Sequence, residues 1–473
     1  MINKYIFREY DIRGVYGKDI TEELAYLLGK AFGTKLRRLN KETTLVGYDN
    51  RYSSPSLEKE LVKGIRESGV NVVRLGLVTT PMYYYAWDLL HIPCGMMITA
   101  SHNPKDENGF KFSYNGIHNA YGDSSKELYQ MIMDKDFITE KQLGEVKEVE
   151  IKEDYIKMIT SNINLGERKI KVIYDCGNGT TSIVADEIFN TFKDKLELIP
   201  LFNTSDSNFP NHHPDPAVEE NLSILKEKVK TLHADVGIAF DGDGDRVGII
   251  DNKGEFLPID QFMILVWRYL VTLPNIEKKT FYDIKCSLAL KEELDRLGVE
   301  NEFYRTGNSY TKEKSYQGNY PFSGELSGHV FFRDKFNGYD DGIYAGLRLI
   351  EILSKTDKTI KELLENIPVY QSTPEIKVQV PDEIKFKVVE KIKEYCQEKH
   401  YHILLVDGVK VFFEDGSALV RASNTGPNIT TRFEAKTKEK LQSIETEFMD
   451  LIKSLLDNEK MKWKSCSNKE FML

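Results

Sequence analysis

The chain lacks the features that would place it in several large classes of protein. Its five cysteines, Cys94, Cys176, Cys286, Cys396 and Cys466, contain no pair at metal-ligand or redox spacing. That excludes a zinc motif or disulfide framework and suits a reducing cytoplasm. No apolar run approaches the roughly 20 residues of a bilayer-spanning helix. The opening MINKYIFREY has neither the basic start nor the apolar stretch of a signal peptide, so a soluble cytoplasmic chain without a membrane partner is expected. Positive charge is in deficit as well. With 64 Lys and Arg against 74 Asp and Glu, the net charge is −10, which argues against a nucleic-acid surface. An anionic ligand would need a local concentration of cations.

What is present is a folded-protein composition, 41% hydrophobic and 29% charged, spread over 473 residues. That length predicts several domains. β-rich runs alternate with helical patterns, the signature of α/β layers on a mainly parallel sheet. Several strands end in polar, Gly-rich loops: TTLVGYD into NRYSSP, CGMMITA into SHNPKDENG, KVIYD into CGNGT, DVGIAF into DGDGDR, and TFYDIK into CSLAL. Ligands gather at the carboxyl ends of such strands. Boundaries near 148, 254 and 368 divide the chain into 1–148, 149–253, 254–367 and 368–473. The last segment reads strand, helix (382–399), strands and a long amphipathic helix (436–457), and so predicts a separate α+β domain.

Four loops carry chemistry. In DGDGDR, Asp241, Asp243 and Asp245 alternate with glycines directly after a buried strand, and a cation would relieve their repulsion. Few hard oxygen ligands suit Mg²⁺. An EF-hand is excluded by register, since Arg246 falls at the required Gly and Asn252 at the bidentate Glu. In TASHNP, Ser101 follows a strand end among turn formers, with its hydroxyl expected to point outward, and Lys111 follows in NGFK. A phosphorylated serine, bearing about two negative charges, would need a divalent ion close by. In RASNTGPNITTR, Arg421 and Arg432 flank Ser423, Asn424 and Thr425, an anion clamp of bidentate and neutral donors. In GELSGH, Glu325 and Ser327 suit vicinal hydroxyls, and His329 suits proton transfer near neutral pH.

FREYDIRG, TASHNP, DGDGDR, GELSGH and RASNT stand in the order seen in the α-D-phosphohexomutase family. With PNHHPDP, TGNS and GHVFFRDKFNGYDDGIYAGLRLIEILS, the chain resembles that family's bacterial phosphomannomutase/phosphoglucomutase branch from residue 7 to 432. The resemblance implies four domains around a central cleft: three related α/β domains with mixed, mainly parallel sheets, and a C-terminal α+β domain of the TATA-binding-protein type. It also implies interconversion of hexose 1-phosphate and hexose 6-phosphate with Mg²⁺ and a hexose 1,6-bisphosphate that is both activator and intermediate.

By the same resemblance, Ser101 carries the phosphoryl group and shares the metal with Asp241, Asp243 and Asp245, while Arg13, Lys111 and Arg246 surround the transferring group. Glu325 and Ser327 read sugar hydroxyls, and Arg421, Ser423, Asn424 and Thr425 hold the distal phosphate beside Lys285. Asn308 stands where the branch commonly has His. It cannot titrate, which leaves His329 and Lys285 as acid–base candidates. The phosphosugar is the expected partner, with the chain acting as a monomer or small homo-oligomer. Two rivals are a phosphoglucosamine mutase, usually marked by GEQSGH and SGTEP, and an aspartyl-phosphate phosphatase using Asp241.

Overall fold

Local chemistry starts the helices that carry the architecture. Thr21 caps Glu22–Arg38 by accepting from Leu24 N at 3.1 Å. Glu22 and Glu23 lie in the first turn and Lys35, Arg37 and Arg38 in the last, so both ends complement the helix dipole. Thr79 caps Thr80–Leu90 in the same way, with Pro81 in the first turn where its missing N–H is harmless. This computed structural model describes residues 2–116, 119–423 and 426–467, with side chains to 457. Two units are distinguished, Met1–Lys278 with Gly307–Glu365, and Lys279–Thr306 with Asn366–Leu473.

The first unit holds a six-stranded sheet in the order Ile12–Val15, Glu107–Ser113, Gly95–Ile98, Thr43–Tyr48, Asn71–Leu77 and Val146–Glu148. Three neighbour pairs are parallel and two antiparallel. Its five-stranded sheet runs Phe256–Leu257, Val247–Asp251, Val236–Phe240, Ile170–Asp175 and Leu196–Leu201. Two of those pairs are parallel and two antiparallel, so this sheet is evenly mixed rather than mainly parallel. The physical reason is the short DGDGDR connection. It is long enough for a hairpin and too short for a crossover helix. Val236–Phe240 is buried at every residue, touched by Ser223–Thr231 and Gly342–Ser354, as a strand covered on both faces must be. A further hairpin pairs Phe322–Gly324 with Val330–Phe332, and its turn is Glu325–His329.

In the second unit, Lys279–Asp283 pairs in parallel with Glu300–Tyr304, and Leu288–Arg296 lies between them in the chain. Its antiparallel sheet runs Gln371–Ser372, Asn428–Ala435, Gly416–Ala422, Val409–Phe413 and His402–Leu404, with Ile376–Gln379 also on Asn428–Ala435. The helices are Asp382–Glu398 and Lys438–Ser467. This is the expected α+β order. The final helix, however, continues to Ser467 instead of ending at 457, because residues 458–467 contain neither Gly nor Pro. Among the described residues no helix is long and apolar enough to cross a membrane.

Glu22–Arg38 and Ser54–Glu67 cross with their backbones almost touching. A Cβ on Gly29 would lie 2.2 Å from the Leu61 carbonyl, and one on Gly64 would lie 2.2 Å from the Tyr26 carbonyl. Gly29→Ala must therefore push the helices apart, and the urea midpoint of the first unfolding step should report a loss of about 1–3 kcal/mol. An unchanged midpoint would show the crossing to be loose.

Asp341 caps Gly342–Ser354 by accepting from Tyr344 N at 2.9 Å and also accepts from Tyr155 Oη at 2.6 Å. Burial pushes its carboxyl up to about 7. Its folded value lies above the unfolded one, near 3.9. Protonation therefore favours the fold at low pH, and that contribution is lost as pH climbs toward 7. Relative to the wild type, Asp341→Asn should gain stability between about pH 4 and about pH 7. A pH-independent difference in urea midpoints would contradict the shift.

Candidate functional site

Three segments of the first unit bring the predicted residues together. Gly95–Ile98 delivers the Ser101 loop, Val236–Phe240 delivers DGDGDR, and the Glu325–His329 turn lies alongside, with Val247 N donating to the Gly328 carbonyl at 3.2 Å. Both glycines of DGDGDR have a local reason. A Cβ on Gly242 would stand 2.4 Å from the Ser101 carbonyl, and Gly244 adopts φ +85°. Ser101 itself takes φ 52°.

The Ser101 hydroxyl does not point outward as expected. The residue is 1% exposed, and Oγ donates to Asp241 Oδ2 at 2.7 Å. The carboxylate is the stronger acceptor and turns the side chain inward. Ser101 N donates to Thr99 Oγ1 at 2.8 Å, and His102 Nδ1 lies 3.1 Å from Ser101 Oγ. Burial, reinforced by Arg246, Arg13, His329 and Lys111, drives the His102 imidazole well below its ordinary range, so it stays neutral.

Asp241, Asp243 and Asp245 are fully buried, and a set of their carboxylate oxygens lies within 4.8 Å of one another. Asp241 Oδ1 accepts from Gly244 N and Arg246 N at 3.0 and 3.1 Å. Lys111 Nζ reaches Asp243 Oδ2 at 2.9 Å and Asp245 Oδ2 at 2.7 Å, and Thr80 Oγ1 donates to Asp243 Oδ2 at 2.6 Å from the first residue of its helix. Burial opposes every one of these charges. Even so, Lys111 holds Asp243 and Asp245 below the usual carboxylate range, and those two acids raise Lys111 in return. Asp241 receives less compensation. Burial and its two neighbours push it well up. Asp243 Oδ1 and Asp245 Oδ1 are buried without a hydrogen-bond partner. Hard oxygen donors, unspent lone pairs and surplus negative charge fit a small divalent cation such as Mg²⁺.

A second grouping, Asp245, His329 and Asp340, is equally tight. In this arrangement the histidine turns a proton rather than a lone pair toward the two acids. Arg246 Nε can only donate, and it meets His329 Nε2 at 2.9 Å, so the ring proton sits on Nδ1, which lies 2.7 Å from Asp340 Oδ2 and 3.5 Å from Asp245 Oδ1. A protonated nitrogen has no lone pair for a metal. Asp340 also accepts from Asn308 Nδ2 at 3.3 Å and sits 3.1 Å from Lys312 Nζ. Arg13 Nη1 donates to Asn103 Oδ1 at 2.9 Å and to the Ala100 carbonyl at 3.2 Å, on the serine loop. Glu325 is buried, accepting from Thr311 Oγ1 at 2.7 Å, Gly307 N at 3.2 Å and Ser327 Oγ at 3.3 Å.

The remaining predicted residues belong to the second unit. Lys285 Nζ pairs with Glu375 at 2.9 Å and lies 3.5 Å from Asp283. Burial opposes its charge, but these acids raise it above its ordinary range, which makes it a permanent cation and a poor base. Arg421 Nε donates to Asp407 Oδ2 at 3.0 Å, while Arg432 Nη1 donates to the Lys285 carbonyl. Ser423 Oγ accepts from Gly426 N at 3.2 Å, and Lys385 Nζ braces that turn by donating to the Ser423 carbonyl at 2.6 Å. Asn424 and Thr425 lie outside the described residues. Sequence reasoning missed Thr80, Thr99, Lys312, Asp340 and Arg51. For Asp340 and Arg51 a signal existed, the DDG run and the NRYSSP loop after a strand. Thr80, Thr99 and Lys312 carry none beyond their neighbours.

Taken together, the first-unit cluster is suited to cation-assisted chemistry at an oxygen nucleophile. The comparisons with known proteins narrow that class. "Phosphoglucomutase/phosphomannomutase, alpha/beta/alpha domain I" matches residues 4–139, domain II 153–254, domain III 258–370, and the family's C-terminal domain 375–451. A phosphomannomutase/phosphoglucomutase of Pseudomonas putida is 40% identical over 443 residues, 94% of each chain. A phosphoglucomutase of Neisseria gonorrhoeae is 37% identical over 456 residues, 96% of this chain and 98% of the relative. A solved phosphoglucomutase/phosphomannomutase family protein from Burkholderia thailandensis matches with TM-score 0.88 and 36% identity, over 96% of this chain and 98% of that one. The chain belongs to the phosphoglucomutase/phosphomannomutase family.

Lys111→Met would strip Asp243 and Asp245 of their shared cation. Breaking a buried pair costs on the order of 3–5 kcal/mol. The melting temperature without Mg²⁺ should drop, and added Mg²⁺ should raise it more in the variant than in the wild type. Equal Mg²⁺-induced shifts would contradict this electrostatic account.

Proposed function

We propose that the chain interconverts hexose 1-phosphate and hexose 6-phosphate, of mannose, glucose or both, through a phosphorylated Ser101 and a bound hexose 1,6-bisphosphate. The observation that carries this reading is the Ser101 hydroxyl, 2.7 Å from Asp241 inside a buried triad of acids. In the first half-reaction the Oγ–P bond of phosphoserine breaks, a bond from P to the sugar's free O1 or O6 forms, and Oγ is left to regain a proton; in the second the bisphosphate's other O–P bond breaks as Oγ–P forms again. The departing hydroxyl proton goes to a base. When the bisphosphate turns round, the other phosphoryl returns to Ser101.

Asp241, Asp243 and Asp245 would hold Mg²⁺, which supplies charge neutralisation at the phosphoryl oxygens when bound. Positioning and charge dominate such transfers. Lys111 and Arg13 reach the aspartate and serine loops from neighbouring strands, and Arg246 lies on the aspartate loop, so the three contribute cations there. His329 would take the proton at Nε2, which requires Arg246 Nε to release it first. Asn308, donating to the carboxylate that faces His329 Nδ1, steadies that ring rather than titrating. Glu325 and Ser327 would read sugar hydroxyls. In the second unit, Lys285, Arg421, Ser423, Asn424, Thr425 and Arg432 suit a phosphate irrespective of the carbon that bears it. A division at 148, 253 and 367 into four domains is supported by four consecutive family matches.

Steady-state assays with mannose 1-phosphate, glucose 1-phosphate and glucosamine 1-phosphate, in Mg²⁺ and a bisphosphate activator, test the reading. The first two should turn over with higher kcat/KM. Ser101→Ala should remove nearly all turnover, and His329→Ala should leave a measurable remainder, since general base catalysis supplies about 10²- to 10⁴-fold. Preference for glucosamine 1-phosphate, or phosphate recovered on Asp241 in peptide maps, would overturn it.

A further inference from the structure

Arg51 touches no catalytic side chain, yet its guanidinium donates to backbone carbonyls from Ser101 to Glu107. It is 1% exposed. Nη1 donates to the carbonyls of Pro104 at 2.6 Å and Glu107 at 2.9 Å, and Nη2 donates to those of Asn103 at 2.6 Å and Ser101 at 2.9 Å. Nε lies 3.2 Å from Asp49 Oδ2, and Asp49 Oδ1 in turn accepts from Arg51 N at 3.1 Å and Ser54 Oγ at 2.7 Å. Four carbonyl dipoles thus converge on one planar cation that is anchored from behind.

That convergence fixes the chemistry-bearing residue. Ser101 takes φ 52°, a conformation a residue with a side chain adopts only when its surroundings enforce it. Its carbonyl is pinned between Arg51 Nη2 and the space where Gly242 carries no Cβ. The peptide unit is planar, so turning that carbonyl toward Arg51 turns the His102 N–H the other way, and with Ser101 N held on Thr99 Oγ1 at 2.8 Å both peptide planes that meet at Ser101 Cα are fixed. The direction of Cα–Cβ, and with it the placement of Oγ on Asp241, follows from that rotation.

We infer that Arg51 is a positioning residue for phosphoryl transfer, holding Ser101 in the left-handed conformation that aims Oγ at the aspartate triad. This role rests on the proposed function. A lysine offers three tetrahedral donors on one atom and cannot serve four carbonyls that two separate guanidinium nitrogens now hold. R51K should therefore misplace Oγ without altering sugar or phosphate recognition.

The test compares wild type, R51K and D49N in Mg²⁺ with a hexose bisphosphate, reading kcat, KM, the fraction of Ser101 phosphorylated by intact mass, and melting temperature. R51K should lose about 10²-fold in kcat per phosphorylated Ser101, with KM within about threefold of wild type. D49N keeps the carbonyl contacts but frees Nε, and should lose kcat less steeply at the same KM. A purely structural role would lower the melting temperature and the active fraction while leaving kcat per phosphorylated Ser101 at the wild-type value. That result overturns the proposal, and if R51K does not fold, an unchanged kcat in D49N does so alone. A wild type that turns over with no phosphate on Ser101 removes the proposed function and this role together. Wild-type turnover through phosphorylated Ser101 with unaltered variants removes the role only.

Discussion

The candidate site of the first unit answers to the crowding of Asp241, Asp243 and Asp245, all fully buried. Three carboxylates that close cannot all be charged unless the fold supplies cations, and Lys111 meets only part of the demand. The remaining arrangement follows from that imbalance. A helix begins at Thr80 with its hydroxyl on Asp243, Arg246 lies beside Asp241, and two carboxylate oxygens keep lone pairs that no protein donor uses. Such a site is poised for a divalent cation and for the anion such a cation would attract.

The same electrostatics ranks the histidine and the lysines. His329 is bracketed by a donor that never accepts and a carboxylate that never donates when ionised, so its tautomer is set before any substrate arrives. Lys285, ringed by Glu375 and Asp283, is fixed as a cation. A buried lysine serves as a base only when its charge is unsupported, and here it is supported twice over.

The loops and their chemistry were legible because each requirement is local. Alternating Asp and Gly after an apolar strand announces crowded acids on a flexible turn, and the αL and close-approach demands at Gly244 and Gly242 confirm why those glycines are there. Fold class was legible from the alternation of elements. Sheet pairing was less so. Val247–Asp251 returns beside Val236–Phe240 as a hairpin, and nothing in strand composition distinguishes that from a parallel neighbour. Asp340 stood in the DDG run, where nothing local tells a helix cap from a site acid, and Lys312 stands in the polar helical run NSYTKEKSYQ, where a lysine reads as solvated until packing buries it.

The amino-acid sequence by itself determined the chemical inventory: a serine in a turn, three acids at alternate positions, a glutamate and a histidine in one loop, and arginines concentrated in an otherwise acidic chain. It also determined the family, since those motifs keep their order over most of the length. Only the tertiary structure decided which groups meet. Ser101 and Asp241 are 140 residues apart in the chain and share a hydrogen bond, and the same folding aims the serine hydroxyl inward. The reason is physical: a motif specifies donors, acceptors and backbone freedom, whereas the charge state of each acid and the direction of each hydroxyl depend on neighbours that only packing brings within reach.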